Sequence, residues 1–229
     1  MKSQELMVIG KSLINIDLIR SDSWPVPCTL NRVGMKNDRK RTNNMQRLTA
    51  VNPADATGKA KQLLDGVQAK LGITPNLMKT LATGPAALEA YLNFGAALST
   101  GRLDAKFREQ IALAVAQANS CEYCLAAHSA IGKMVGLKPE EIAGSREAHA
   151  EEAKRDAGLQ FAQALVVQRG EVSDQAVAAV KAAGYTDGDI AEIVANVAVN
   201  IFTNYFNHVA RTDVDFPKVE VSLRAGGAR

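Results

Sequence analysis

Glu109 to His128 reads EQIALAVAQANSCEYCLAAH, and the reading of this stretch decides the rest. It holds two of the three cysteines, one of the three histidines, and a carboxylate, Glu109, set inside an otherwise apolar helical run. At about 100° per residue on a helix, Cys121, Cys124 and His128 fall within roughly 60° of one another, so the three side chains share a face. Asn119, followed three residues later by Glu122, matches a capping box. That predicts a helix starting just before Cys121, with this cysteine in its first turn. The positive partial charge and free amide donors of a helix N-terminus favour a thiolate there. The preceding helix, about residues 104–118, turns back through Asn119-Ser120, which lets Glu109 face the cysteines across an antiparallel pair. A thiol pair, an imidazole and a carboxylate then belong to one site.

Outward from this hairpin the pattern stays helical. Leu63, Leu64, Val67 and Leu71 form a stripe that Gly72 ends, and Pro75 and Pro85 each open a helix, with Gly84 between them. Gly136 closes the hairpin and Pro139 starts a short helix. A helix over about residues 151–169 stops at Gly170. Ser173 caps the next one, and Gly184 ends it. Thr186 with Asp189 caps a long final helix whose Ile190, Ile193, Val194, Val197, Ile201 and Phe202 predict an apolar seam. The pattern contains no strand and no repeat of fixed period, so the fold class is all-α.

At 229 residues the chain is long enough for a sizeable core, and 47% apolar content with 5% aromatics suits helices better than a β-sandwich. No apolar run reaches the 18 residues of a membrane span, so no membrane partner is expected. Three cysteines do not make a secreted disulfide framework, which points to a reducing, cytoplasmic setting. The net charge of +3 belongs to the N-terminal segment: residues 1–44 carry eight Lys/Arg against four Asp/Glu, leaving 19 basic and 20 acidic residues elsewhere. The folded part therefore lacks the basic excess of a nucleic-acid binder. Residues 1–44 are expected to be a disordered extension or one that follows an upstream start codon assigned in error. The domain is expected to cover 45–217, and 218–229 to be a flexible tail.

A Cys-x-x-Cys outside a secreted framework means redox chemistry or half of a metal site. Thioredoxin itself is excluded, because the chain offers no βαβ context. Zinc could take Cys121, Cys124, His128 and Glu109, but three ligands from two turns of one helix form a cramped tetrahedron, and no second Cys/His pair closes a structural site.

Glu109, Cys121-Glu-Tyr-Cys124 and His128, spaced E-x11-C-x-x-C-x3-H, resemble the catalytic constellation of the carboxymuconolactone decarboxylase superfamily in its alkylhydroperoxidase AhpD-like branch. The likeness runs from about residue 48 to 217. ITPNLMKTLATGPAALEAYL before the site and NIFTNYFNHVARTDVDFP after it resemble the longer, peroxidase-related members. The resemblance implies an all-helical bundle with the Cys-x-x-Cys at the N-terminus of a helix, homo-oligomerisation, and thiol-based reduction of hydroperoxides or disulfides without haem or metal. It implies that Cys124 is the peroxidatic cysteine, that Cys121 is the resolving one, and that His128 and Glu109 form a proton relay. Some members carry a histidine where this chain has Tyr123, so the phenol stands where an additional proton donor would be.

The chemistry fits the residues. A thiolate attacks a peroxide oxygen, the sulfenic acid condenses with the second thiol, and an external dithiol of thioredoxin or lipoyl type resets the disulfide. Cys121, nearer the N-terminal end of its helix, is expected to be the more exposed and the one a donor reaches. His208 in NYFNHVA could line the site, though a histidine near a helix end is more often a packing residue. His149 reads as solvated, Cys28 as uninvolved, and the Tyr91/Phe94 and Tyr205/Phe206 pairs as core or subunit contacts. A non-enzymatic oligomeric module that binds metal or senses redox state is the alternative, and stoichiometric metal in the purified protein would favour it.

Overall fold

A computed structural model of the chain describes residues 8–9, 12–13 and 46–220. The chain separates into two units, Met1–Arg41 and Thr42–Arg229. In the first, β1 (Val8–Ile9) and β2 (Ser12–Leu13) pair antiparallel, a short ladder the sequence pattern did not announce. The other expectations for residues 1–44, and the tail beyond residue 220, lie outside the described residues.

The second unit is all-helical: α1 (Gly58–Leu71), α2 (Asn76–Leu81), α3 (Pro85–Ser99), α4 (Ala105–Ala118), α5 (Glu122–Met134), α6 (Pro139–Arg146), α7 (Ala153–Val167), α8 (Asp174–Ala182) and α9 (Asp187–Ala210). The punctuation residues act as their chemistry dictates. Asp104, Ser173 and Thr186 accept N–H bonds from the third residue of their helices, and Thr186 and Asp189 close a reciprocal box. Gly72 follows α1 at φ 73°, a left-handed position that only glycine takes without cost.

α4 is the axis. Its Ile111, Leu113, Ala114, Val115 and Ala116 are fully buried, and α5, α6, α7 and α9 all pack on it. One core lies on its Leu113/Ala116 side, where α1, α2 and α5 bring Leu64, Leu81 and Leu125. The other lies on its Phe107/Ile111 side, where α7, α8 and α9 bring Leu159, Val180 and Ile193. A small helix face of alanines allows this close surround, and Gly158 of α7 does the same from the other side: a Cβ there would fall inside Phe107 and Tyr185. Truncating Leu113 to Ala would cost about 2–5 kcal/mol, the usual range for a leucine with no room to collapse around the void.

Two local expectations need correcting. The Asn119–Glu122 capping box does not form. Asn119 is the C-cap of α4, its side-chain amide donates to Asn204 Oδ1 at 2.9 Å, and the N-cap of α5 is Cys121. The apolar seam of α9 is only partly buried. Ile193 and Val197 are inside, but Val194 and Phe202 are about 40% exposed, while Asn196, Asn200, Asn204 and Asn207 are buried. The reason is local bonding: Asn196 and Asn200 each donate to the carbonyl four residues earlier, so they enter the interior already satisfied.

After α9 the chain does not leave the domain. Asp215 accepts from Asn76 N at 2.7 Å, Phe216 packs edge-on against Tyr123, and Val219 rests on the first core.

Candidate active site

The joint between α4 and α5 is three residues long, Asn119 to Cys121, and Ser120 takes a left-handed conformation (φ 55°) to reverse the chain. Cys121 therefore arrives as the N-cap of α5 rather than inside its first turn. Its sulfur does the work a serine oxygen would do, accepting the Cys124 N–H at 3.3 Å. Cys121 and Cys124 are joined as a disulfide. The second sulfur has its own donor: Asn207 Nδ2, from the far end of α9, lies 3.3 Å from Cys124 Sγ. Each sulfur thus faces one N–H, and both cysteines are buried, 1% and 2% exposed. Cys121 is therefore not the exposed member of the pair, contrary to its expected place.

His128 and Glu109 meet as the hairpin geometry predicts. Nδ1 of the imidazole is 2.7 Å from Glu109 Oε2, both side chains are about four-fifths buried, and Nε2 is the ring nitrogen left for other partners. Among the described residues no group of three or more His, Cys, Asp or Glu side chains converges into a metal-ligand set.

Two spaces open on either side of the cysteine pair. The first is an apolar pocket of about 150 Å³, lined by Cys124 and His128 with Tyr91, Tyr123, Ile131 and Phe216. Its rim is made by Leu71, Ile73 and Met134, apolar side chains exposed by half or more. The second is a polar cleft of about 250 Å³, lined by Ser120, Cys121, Asn207, His208, Arg211 and Thr212. Arg211 is also left-handed, at φ 50°, so among the described residues two of the four non-glycine residues with positive φ border this cleft. Tyr123 lines both spaces and forms the wall between them.

The two tyrosines of the pocket, Tyr91 and Tyr123, are held neutral. Burial pushes Tyr91 up to about 12, and the Glu109 charge beside it adds to the shift. Burial raises Tyr123 further, the Asp215 carboxylate reinforces it, and the Leu77 N–H that its oxygen accepts at 3.1 Å works the other way. Its phenol is engaged by α2 and by the segment after α9, and so anchors the wall.

Of the two accessory candidates, Tyr123 borders both sulfurs' spaces. His208 lies in the cleft, where Nε2 is 2.9 Å from the Asn119 carbonyl and steadies the α4–α5 joint. Two neighbours escaped the sequence reading. Asn207 is adjacent to His208 in the quoted NYFNHVA, and an asparagine in an apolar helical run was the available signal. Tyr91 reads as core by its spacing, yet it lines the pocket beside Glu109. His149 pairs with Asp156 at 2.6 Å beside a separate cavity of about 330 Å³ that contains neither cysteine.

The Carboxymuconolactone decarboxylase family model matches residues 85–164, which is α3 through most of α7. A protein of Haemophilus influenzae called only an uncharacterized protein is 54% identical over 46 residues. That match spans 20% of this chain and 41% of the relative's length. Among solved structures, the alkylhydroperoxidase AhpD core of an uncharacterized peroxidase-related protein from Ralstonia eutropha is 27% identical. It superposes with a TM-score of 0.68 over 74% of this chain and 92% of that one. A peroxidase-related protein from a Silicibacter species has a TM-score of 0.65 at 23% identity, over 79% and 95% of the two chains. The debrominase Bmp8, as a cysteine-to-alanine variant with 2,3,4-tribromopyrrole, has 0.64 at 18%, over 75% and 92%. These last two similarities speak for the fold alone. No helix among the described residues is long and apolar enough to cross a membrane.

Proposed function

Because this chain belongs to the carboxymuconolactone decarboxylase superfamily through residues 85–164, in its AhpD-like branch, we propose that it is a thiol-dependent oxidoreductase that reduces hydroperoxides at Cys124. The observation that carries this reading is that Cys124 and the Glu109-paired His128 open together into an apolar pocket, while the partner sulfur is already bonded to Cys124.

In the reduced protein the Cys124 thiolate attacks the outer oxygen of the hydroperoxide. The O–O bond breaks, Cys124 becomes a sulfenic acid, and the leaving alkoxide takes a proton, which His128, held by Glu109, is placed to give. The Cys121 thiol attacks that sulfur, water leaves, and the disulfide forms. A dithiol of thioredoxin or lipoyl type returns two electrons by exchange, a cycle that suits a reducing compartment such as the cytoplasm. The cycle uses only this chain's own groups and the two substrates. Steady-state turnover of a peroxide panel with several dithiols tests the reading, and absence of turnover with every pair would reject it.

The assembly belongs to the same reading. Val194, Phe202, Tyr205 and Val209 recur at helical spacing on the exposed side of α9, with Phe94 of α3 also exposed. An apolar stripe of this kind is covered by a second copy of the chain in a homo-oligomer. Light scattering at micromolar concentration should give a multiple of 24.4 kDa; the monomer mass would reject it.

A second reading is favoured by the three rings, Tyr91, Tyr123 and Phe216, around a pocket of this size. It is reductive removal of halide from a small halogenated ring, with the two thiols as the electron source. Bromide release from a bromopyrrole, measured against peroxide consumption, separates the two.

A further inference from the structure

We infer that the polar cleft on the Cys121 side is the entry and binding site for the electron donor, and that it takes a dithiol carried on a peptide backbone. This rests on the thiol–disulfide cycle proposed above.

Access is the first argument. Cys121 lines the cleft and not the apolar pocket, Cys124 lines the pocket and not the cleft, and the Tyr123 ring stands between them. A polar thiol approaching from the cleft therefore meets Cys121. The second argument is unmet hydrogen-bonding capacity. Asn207 and Thr212 are each 5% exposed and line the cleft, and Asn207 Oδ1 and Thr212 Oγ1 are buried with no partner among the described residues. A buried acceptor without a donor is costly, so two in one cleft mark where a ligand's N–H groups belong. A cysteine in a peptide carries such N–H groups beside its sulfur; a simple alkyl dithiol does not. Charge is the third. Arg211 and the N-terminus of α5 border the cleft, with Glu122 the one opposing carboxylate in its lining, which favours arrival of a thiolate.

The chemistry closes through the same side chain. The donor thiolate attacks Cys121 Sγ, a mixed disulfide forms, and the Cys121–Cys124 bond breaks with Cys124 leaving as the thiolate. Asn207 Nδ2 already points at that sulfur, so the departing charge meets a donor. The donor's second thiol then attacks the mixed disulfide and releases Cys121. Two electrons pass from donor to protein, and the two donor protons go to the protein thiols and solvent. Asn207 thus joins the two events, with its amide NH₂ on Cys124 and its residue in the lining of the cleft.

The test separates the half-reactions in the full-length protein. Reduction of the oxidised protein is followed by alkylation and mass under three dithiols at equal thiolate concentration: a reduced Cys-Gly-Pro-Cys peptide, dihydrolipoamide and butane-1,4-dithiol. Oxidation of the reduced protein by cumene hydroperoxide is followed separately. The peptide should be the fastest donor, by tenfold or more over butanedithiol. Thr212→Val, which keeps shape, and Arg211→Glu, on the surface, should each slow the peptide by at least fivefold and leave the oxidation step unchanged. Met134→Trp at the pocket rim should do the reverse. The inference is overturned if both cleft variants, shown folded by their melting, reduce at the wild-type rate, if Met134→Trp slows reduction equally, or if dihydrolipoamide or butanedithiol matches the peptide. Failure of the oxidation step alone, with peptide reduction still sensitive to Thr212, would reject the peroxidase reading and keep the donor site.

Discussion

The space beside Cys124 is narrow and walled by aliphatic and aromatic side chains; the one beside Cys121 is wider and bordered by amide, hydroxyl, imidazole and guanidinium groups. Both open onto one four-residue turn, Cys121 to Cys124. A disulfide is chemically symmetric, so the difference between its two ends comes entirely from the surroundings. α5 supplies one side of the contrast, with His128 and Ile131 facing the pocket, and the C-terminal end of α9 supplies the other, with Asn207, His208 and Arg211. Because the two helices meet the cysteine pair from different directions, the oxidation and reduction steps of the proposed cycle should respond to different substitutions.

Exchanging the roles of the sulfurs would break this comparison most completely. Cys124→Ser should abolish peroxide consumption. Cys121→Ser should allow one round, leaving a sulfenic acid on Cys124 that a dimedone-type reagent labels by mass. If the trapped acid instead forms on Cys121 in Cys124→Ser, the assignment is reversed. Weakening the pocket side alone is next in size. Glu109→Gln and His128→Ala should lower the rate of oxidation by about 10²–10⁴-fold, the usual contribution of a positioned acid–base group, with the largest loss at low pH, where the thiolate no longer forms unaided. Stopped-flow oxidation across pH reads this out, and a pH-independent loss would count against the relay.

Asn207→Ala removes the one side-chain donor that the described residues place on the Cys124 sulfur. A hydrogen bond to a charged group is worth about 1.5–3 kcal/mol, so iodoacetamide alkylation of Cys124 should shift to higher pH and fall by about tenfold near neutrality. An unchanged alkylation profile would show that the amide is only packing. The smallest effect serves as a control on both spaces. Asp189 caps the start of α9, the opposite end from Asn207, and the Thr186 N–H and hydroxyl hold its carboxyl below the ordinary 3.8, with Arg102 adding to this. A depressed carboxylate contributes stability above its unfolded value and loses it as pH falls through the folded one. Asp189→Asn should therefore cost about 1 kcal/mol at pH 7 and nothing in strong acid, and should leave the ratio of the two half-reactions unchanged. A change in that ratio would mean that α9 transmits more than support.

Most of the helix boundaries were legible because caps and stops are local. Asp104, Ser173, Thr186 and the glycines after α1, α5, α7 and α8 act within a few residues of themselves. Glu109 and His128 were legible for a related reason: a short joint between two helical runs leaves only one way for the second to lie against the first. What stayed hidden depends on long-range partners. Asn119 looks like a cap until its amide finds Asn204, 85 positions later, and the vacated role passes to a sulfur. Asn207 looks like a polar interruption in an apolar helix until Cys124, 83 positions earlier, comes to rest against it. The buried side of α9 was misjudged because hydrophobic periodicity treats asparagine as outward-facing, whereas back-bonding to its own helix lets it turn inward and leaves Val194 and Phe202 outside.

The Tyr123 wall also bears on the order of events in time. An enzyme with a single mouth must empty it of one substrate before the other can enter, so each inhibits the other at saturation. In the proposed cycle the ring, held by Leu77 and Asp215, would give oxidant and reductant separate queues onto one pair of sulfurs. Excess hydroperoxide should then not crowd out the donor, and reciprocal plots should stay parallel, without upward curvature, far above half-saturation. The same partition would insulate the two proposed reagents from direct contact, so that electrons would pass between them only through the protein.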